Sequence, residues 1–472
     1  MASIDSMLGR LIEPEIRSLL EQKNYKELRA ALIELDPVDI AEAILVLSPE
    51  DRAVVFRLLP RTLAADVFEY LPFPEQEELL HSFSKEQVSA ILNEMAPDDR
   101  TALLEELPGK VTRRLLGLMS PEERIIATNL LGYPEDSIGR LMTPEYITVK
   151  EDWPIKKAFK HIRRTGPEKE TINVIYVIDE NDRLVDDLTL KKLIFSNPNS
   201  KVADLMDRQF IALQAHDDQE TAIEIMARYD RFALPVVDSD GTLVGIVTSD
   251  DIFDVVEEEN TEDIQKLGGV GALEDPYSQV GILTMVRKRT GWLSILFLGG
   301  YLTSKTMGVF ENQITSEVWL WLTLFLPLII SSGGNSGSQA ATLVIRAMAV
   351  QDIEQRDWFR ILLRETGTGM ILGLLLGMMS LFFFYFLPAS ESLQQQSLHS
   401  QHFLLLGITV ASALISMVIF GTLIGSMLPF IFNAVGVDPA LSSTPFVATL
   451  VDITGVVIYF SLARVLLAGT LL

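Results

Sequence analysis

Five apolar segments crowd the C-terminal part of the chain, at residues 291–310, 318–345, 361–387, 403–432 and 446–472. Each is long enough to cross a hydrocarbon layer as a helix rising about 1.5 Å per residue. Backbone N–H and C=O groups find no water there, so these stretches must form helices, and several have length to spare for tilting. Arg287, Lys288 and Arg289 precede the first segment, and Arg346, Arg356, Arg360 and Arg364 lie between the second and third. The bias of Lys and Arg toward the cytoplasmic side places both clusters there and puts the connections at 311–317 and 388–402, which carry neither, outside. The expected protein is a multi-pass component of the plasma membrane, with its N-terminus cytoplasmic and its C-terminus outside. Arg464, near the outer end of the last segment, runs against the bias.

Charge divides the chain at the same place. Up to residue 280 there are 55 acidic against 30 basic side chains, and after it nine against nine, so the whole net charge of -25 falls on the first part. A strongly acidic surface repels nucleic acid and attracts cations. The chain has no cysteine, which excludes disulfides and thiolate metal sites. The opening MASIDSMLGRLIEPEI is charged and lacks an apolar signal core, which keeps the first part in the cytoplasm.

Two repeats organise that first part. LDPVD at 35, LSPED at 47, LLPRT at 58, PFPEQ at 72, APDDR at 96 and SPEER at 120 join Pro or Ser to a following acid in most cases, a helix-start signature. They predict an all-α superhelical stack of short helices over 1–138. A longer repeat follows: LMTPEYITVKEDWPIKKAFKHI at 141 matches LMDRQFIALQAHDDQETAIEIM at 205, and VIDENDRLVDDLTLKKLI at 177 matches VVDSDGTLVGIVTSDDIF at 236. Each copy reads as an α/β unit of a strand, a helix, two strands and a closing helix. This resembles a tandem pair of CBS domains, at 139–201 and 202–257. The second copy keeps that module's Gly-x-x-Thr-x-x-Asp pattern as Gly245, Thr248 and Asp251, whereas the first has Asp186 and Lys192 at the outer positions. A nucleotide such as ATP, if one binds, therefore goes to the second copy. Residues 250–271 place Ile252, Val255 and Val256 on one helical face and acids on the other, and this connecting helix leads to the membrane part at 280–472.

Within the apolar segments two features stand out. SSGGNSGSQAAT, at 331–342, is polar and small, and reads as a flexible interruption lining a pore. Gly369, Gly373 and Gly377 form a ridge for close helix packing. Asp452 lies inside the last segment, where a carboxylate is costly unless it faces a partner or water, and neither Lys305 nor Arg464 is placed to pair with it. A protonated packing Asp is one reading; a cation site in a hydrated pore is the other. The oxygens on offer, from Asp452, Asn335, Thr444, Thr449 and the carbonyls near Ala448, are hard ligands that suit magnesium, calcium or manganese. One carboxylate per chain, doubled in a homodimer surrounded by lipid, matches a magnesium ion that keeps its waters.

GGNSGSQAATLVIRAMA at 333, VGVDPAL at 435 and PFVATLVDITGVVIYFSLAR at 445 closely resemble the MgtE family of magnesium channels, and the order of parts fits along essentially the whole chain. The resemblance implies a homodimeric Mg2+ channel with Asp452 in the pore and the connecting helix as a magnesium-dependent plug. It implies regulatory ions shared by Asp98 with Asp251, and by Asp66 with Asp230 and the carbonyl of Ala227. Asp254, Glu259, Glu262 and Asp263 on the connecting helix, with Asp438 at the membrane face, complete the implied set. Ala102 stands where relatives often carry an acid, and Thr444 where some carry Asn. A proton- or sodium-coupled secondary transporter is the alternative, and a membrane-anchored nucleotide sensor a third reading. No catalytic Ser/His/Asp set, HExxH motif or phosphate loop supports an enzyme.

Overall fold

The structure, a computed structural model, describes residues 7–273, 277, 280–314, 316–350, 352–386 and 400–468. It divides into two units, one ending at Glu258 and the other beginning at Glu259.

In the first unit, ten helices lie between Met7 and Leu130 among the described residues. Their starts follow the sequence signature. Pro37, Pro49, Pro97 and Pro121 open helices where a missing N–H costs nothing, and the hydroxyls of Ser48 and Ser120 accept from the N–H groups of Asp51 and Glu123. Ser84 and Gln87 close a reciprocal capping box. The short helices then bury Leu28, Leu32, Ile40, Ile44, Phe68 and Leu92 in one shared core. Each such side chain contributes roughly 2 kcal/mol of apolar burial. Arg100 is fully buried, pairs with Glu123 at 2.7 Å and donates to the Leu92 carbonyl at 3.0 Å, fixing the helix Pro97–Glu106 that carries Asp98 and Asp99.

The two α/β copies each form a three-stranded sheet. In the first, β1 (Thr148–Lys150) runs parallel to β2 (Val174–Ile178), which pairs antiparallel with β3 (Leu184–Thr189). In the second, β4 (Leu213–Gln214), β5 (Ala233–Val237) and β6 (Leu243–Thr248) repeat the order. β2 and β5 are buried along their whole length, as the central strand of a covered sheet must be. The copies clasp each other: Thr143 bridges to Ile246, and Arg183 to Thr242. The connecting helix, Ser249–Leu267, follows β6 directly and buries Ile252 and Val255.

The second unit contains five helices long and apolar enough to cross a membrane among the described residues. They are Ile282–Glu311, Ser316–Ala349, Trp358–Phe386, Ser400–Ala434 and Thr444–Leu467, called here the first to fifth spans. Residues 387–399, which hold most of the connection expected outside, lie beyond the described residues. One expectation is corrected. The polar run at 331–342 is not an interruption but continuous helix inside the second span. Its glycines keep the backbone ladder closed and let another helix approach: a β-carbon at Gly425 of the fourth span would overlap the carbonyl of Gly337, and one at Gly421 that of Gly333. Gly369, Gly373 and Gly377 of the third span meet Ile419 and Ile415 of the fourth in the same way, so this ridge packs as expected. The Tyr459 hydroxyl donates to the Leu322 carbonyl at 2.9 Å, tying the fifth span to the second.

These contacts set opposite signs for two glycine substitutions. Gly425→Ala should destabilise the bundle by about 1–3 kcal/mol through overpacking. Gly367→Ala, where a β-carbon meets nothing within 4 Å, should be neutral or stabilising. The thermal midpoint of the purified protein in detergent measures both.

Candidate cation sites

Thr444, Ala448 and Asp452 recur every four residues on the fifth span and so share one helical face. That face meets the second span at its small residues. Ser338 Oγ donates to the Thr444 carbonyl at 3.2 Å, and Gly334 lies against Ala448 and the Asp452 carboxylate. Small side chains leave room beside the carboxylate. Asn335, next along the second span, is exposed, and its amide donates to Ser331 Oγ at 3.3 Å. Thr449, on a different face, donates to the Pro445 carbonyl and packs on Gly299 of the first span. Asp452 is half-buried and, among the described residues, makes no hydrogen bond and no ion pair. An unpaired carboxylate at this depth calls for a cation or water.

The first unit gathers a second set of acids. Asp98 is buried, and its carboxyl is pushed well above the usual range by burial and then by Asp251, Asp99 and Glu170. Asp251 is raised to about 7 by burial, with Asp250 and Asp99 adding to it against the Thr248 hydroxyl, which donates at 2.6 Å. Asp99 rises to about 6 through burial and the charges of Asp250 and Asp254. Glu69 reaches about 8 through burial, Asp99, Asp66 and Glu170. Asp254 is raised by burial and then by Glu257 and Asp250. The structure thus brings Asp98 and Asp251 together, as the family resemblance implies, and adds Asp254 beside them.

The remaining expected residues take their places on separate helices. The charge acting on Asp66 is Glu94, and no interaction among the described residues joins it to Asp230, which ends the helix Gln219–Tyr229 in a left-handed conformation at φ 49°. Ala227 sits in that helix's last turn. No group of three or more His, Asp or Glu among the described residues is arranged to hold a metal ion. The patch gathers carboxyls side by side without a closed cage, which suits an ion that binds through its own waters. Sequence reading missed Glu69, Asp99, Glu170 and Asp250. Asp99 and Asp250 stand in DD pairs beside Asp98 and Asp251, a signal that was there to use; Glu69 and Glu170 reach the patch only through the fold.

Of the expected nucleotide residues, Gly245 lies against the Met142 side chain and Thr248 bonds Asp251. An open cleft of about 490 Å³ lies where Asn173, Thr189 and Lys191 of the first copy meet Phe232 of the second. In the second unit, burial, then Asp438, and then Glu259 and Glu262 raise the Asp263 carboxyl against the charge of Lys266.

An apolar five-helix bundle with an unpaired carboxylate, attached to an acid-rich soluble unit, is the build of a membrane transporter for hard divalent cations. Residues 326–462 match the profile of MgtE, a divalent cation transporter, residues 35–136 the MgtE intracellular N domain, and residues 138–196 and 202–258 the CBS domain. The magnesium transporter MgtE of Thermus thermophilus is 42% identical over 75% of each chain, and that of Bacillus subtilis 32% identical over 82% of each. The chain belongs to the MgtE family. A solved structure of the cytosolic domain of the Mg2+ channel MgtE in complex with ATP is 38% identical and superposes with a TM-score of 0.50, over 52% of this chain and 99% of that one.

The acid patch carries a pH prediction. Carboxyls raised above their ordinary values favour the packed state while protonated, so that stability is complete below about 4.5 and is lost as pH rises through about 8, the value of Glu69. In divalent-free buffer the unfolding midpoint of the soluble unit in the full-length protein should fall between pH 6 and pH 8.5, and added Mg2+ should raise it more at pH 8.5. A midpoint equally sensitive to Mg2+ at both values would contradict this.

Proposed function

We propose that the protein is a homodimeric, magnesium-selective channel of the plasma membrane, through which Mg2+ enters the cell passively, and that cytoplasmic Mg2+ closes it. The observation that carries this reading is Asp452, an unpaired carboxylate on the small-residue face between the second and fifth spans. Two copies facing each other across a dimer axis would offer two carboxylates to one hydrated ion, with Ala448 carbonyls and Thr444 hydroxyls one and two turns away on the same face. Such a site weakly holds an ion that keeps its shell, as passage requires.

Closure follows from the acids of the soluble unit. Asp98, Asp99, Asp251 and Asp254 repel one another, and divalent ions among them would favour the compact arrangement in which they are close. The connecting helix Ser249–Leu267 carries Asp251 and Asp254 in its first turns and Glu262 and Asp263 near its end, so ion binding at either end restrains the same rod. Several sites acting together give the differential affinity that a switch needs. The orientation in this reading is the one expected from the basic clusters, with the C-terminus outside. ATP is a candidate second ligand; the cleft by Lys191 and Phe232 offers a cation and an aromatic face for a nucleotide. No catalytic role is proposed.

The test is Mg2+ uptake into proteoliposomes loaded with an indicator, wild type beside Asp452→Asn. Uptake driven by the Mg2+ gradient alone and lost by tenfold or more in the variant is expected. Normal uptake by Asp452→Asn would remove the pore site, and a requirement for a proton or sodium gradient would turn the channel into a coupled transporter.

A further inference from the structure

We propose that Lys266 is a positioning residue: its ammonium fastens the end of the connecting helix to the membrane unit without a divalent ion, and it competes with that ion for Asp438. The geometry is specific. Lys266 Nζ lies 2.7 Å from Asp438 Oδ2 and 2.8 Å from Glu262 Oε1, with the lysine side chain 22% exposed. Asp438 is itself held, because its other oxygen, Oδ1, accepts the Ala440 N–H at 2.8 Å. The ammonium is therefore tied to a fixed backbone rather than to a swinging side chain. Burial alone would lower the lysine's pKa; the hydrogen bonds to Asp438 and Glu262 override it and keep the charge on.

The chain around Lys266 makes this turn a point of attachment. The helix stops at Gly268 and Gly269, the latter at φ 71°, where glycine turns the chain at no steric cost. Gly269 lies against Ser443 and Pro445 at the start of the fifth span, and the Gly271 N–H donates to the Lys288 carbonyl of the first span. The same fifth span carries Asp452 two turns beyond Pro445. Asp438, Glu259 and Glu262 raise the Asp263 carboxyl beside this ammonium, and Lys266 lowers it. The tether thus coexists with an attraction for divalent ions that it only partly cancels.

A cation arriving at Asp438 meets a lysine already on Oδ2. Removing the ammonium should tighten the site for Mg2+ about tenfold, the effect of one unit charge on a divalent ion a few ångströms away at high dielectric. The consequence for gating, though not the tether itself, rests on the proposed role of the connecting helix.

The chain has no cysteine, so a spin label at Ile264→Cys, an exposed position on the helix, reports on this turn alone in the full-length protein in lipid nanodiscs. In divalent-free buffer the label should be immobile in the otherwise wild-type protein and with Lys266→Arg, and mobile with Lys266→Met. Mg2+ should immobilise it in Lys266→Met, where the vacated Asp438 is free to take the ion. The exchange K266E with D438K should restore immobility without Mg2+. A label as immobile in Lys266→Met as in wild type, or mobility that Mg2+ does not reverse, overturns the proposal. Mg2+ uptake that ignores internal Mg2+ while the label responds as expected would sink the gating reading alone.

Discussion

Negative charge gathered in places drawn partly out of water is the constraint on which this structure depends. It recurs at three places that share no sequence: Asp452 in the fifth span, the patch around Asp98 and Asp251, and the group around Asp438. In each, carboxylates are drawn partly out of water, and in the last two they are also drawn toward one another, an arrangement that hydrophobic packing has to hold against repulsion. The fold supplies that packing. Buried Arg100 anchors the helix bearing Asp98 and Asp99, the clasp between the two α/β copies positions the segment that leads to Asp251, and Gly334 lets the second span lie against Ala448 and Asp452. Among the described residues, the last of the three places has a resident cation, Lys266.

This distribution gives a physical reason for a hard, strongly hydrated ion. A cage of three or more carboxylates is absent among the described residues, and the ligating oxygens are spread along faces and across helix ends. A dehydrated calcium ion asks for many direct oxygens, whereas magnesium tolerates few and contacts the rest through water. The same carboxylates, left bare, raise one another's pKa, so ion occupancy and protonation are alternative ways of relieving one strain. In the account offered here, gating is the mechanical outcome of that relief, transmitted by a helix with acids at both ends.

Much of the architecture was legible in the sequence, for reasons that differ by part. Apolar length reported the five spans, because hydrocarbon leaves the backbone no alternative. Pro and Ser before acids reported the helix starts, since they answer the unsatisfied first turn. Internal repetition reported the paired sheets. The polar run at 331–342 misled, because Gly and Ser signal flexibility in water but close approach between helices, and the single sequence does not say which solvent applies. At the sites, Asp98 with Asp251 and the stripe of Thr444, Ala448 and Asp452 followed from family likeness and helical spacing. Glu69, Glu170 and the Lys266 bridge to Asp438 were invisible, as their partners lie far away in the chain and only packing brings them together. The Asp66 and Asp230 pairing came from likeness alone and is not among the described interactions.

The most direct measurement of the central claim is the rate of gradient-driven Mg2+ uptake as Mg2+ on the side of the soluble unit is raised, in wild type and in Asp98→Asn/Asp251→Asn. The account predicts that uptake by the wild type falls cooperatively and that the double variant needs a several-fold higher concentration for the same suppression. Suppression unchanged by the double substitution, or no suppression in the wild type, would contradict it.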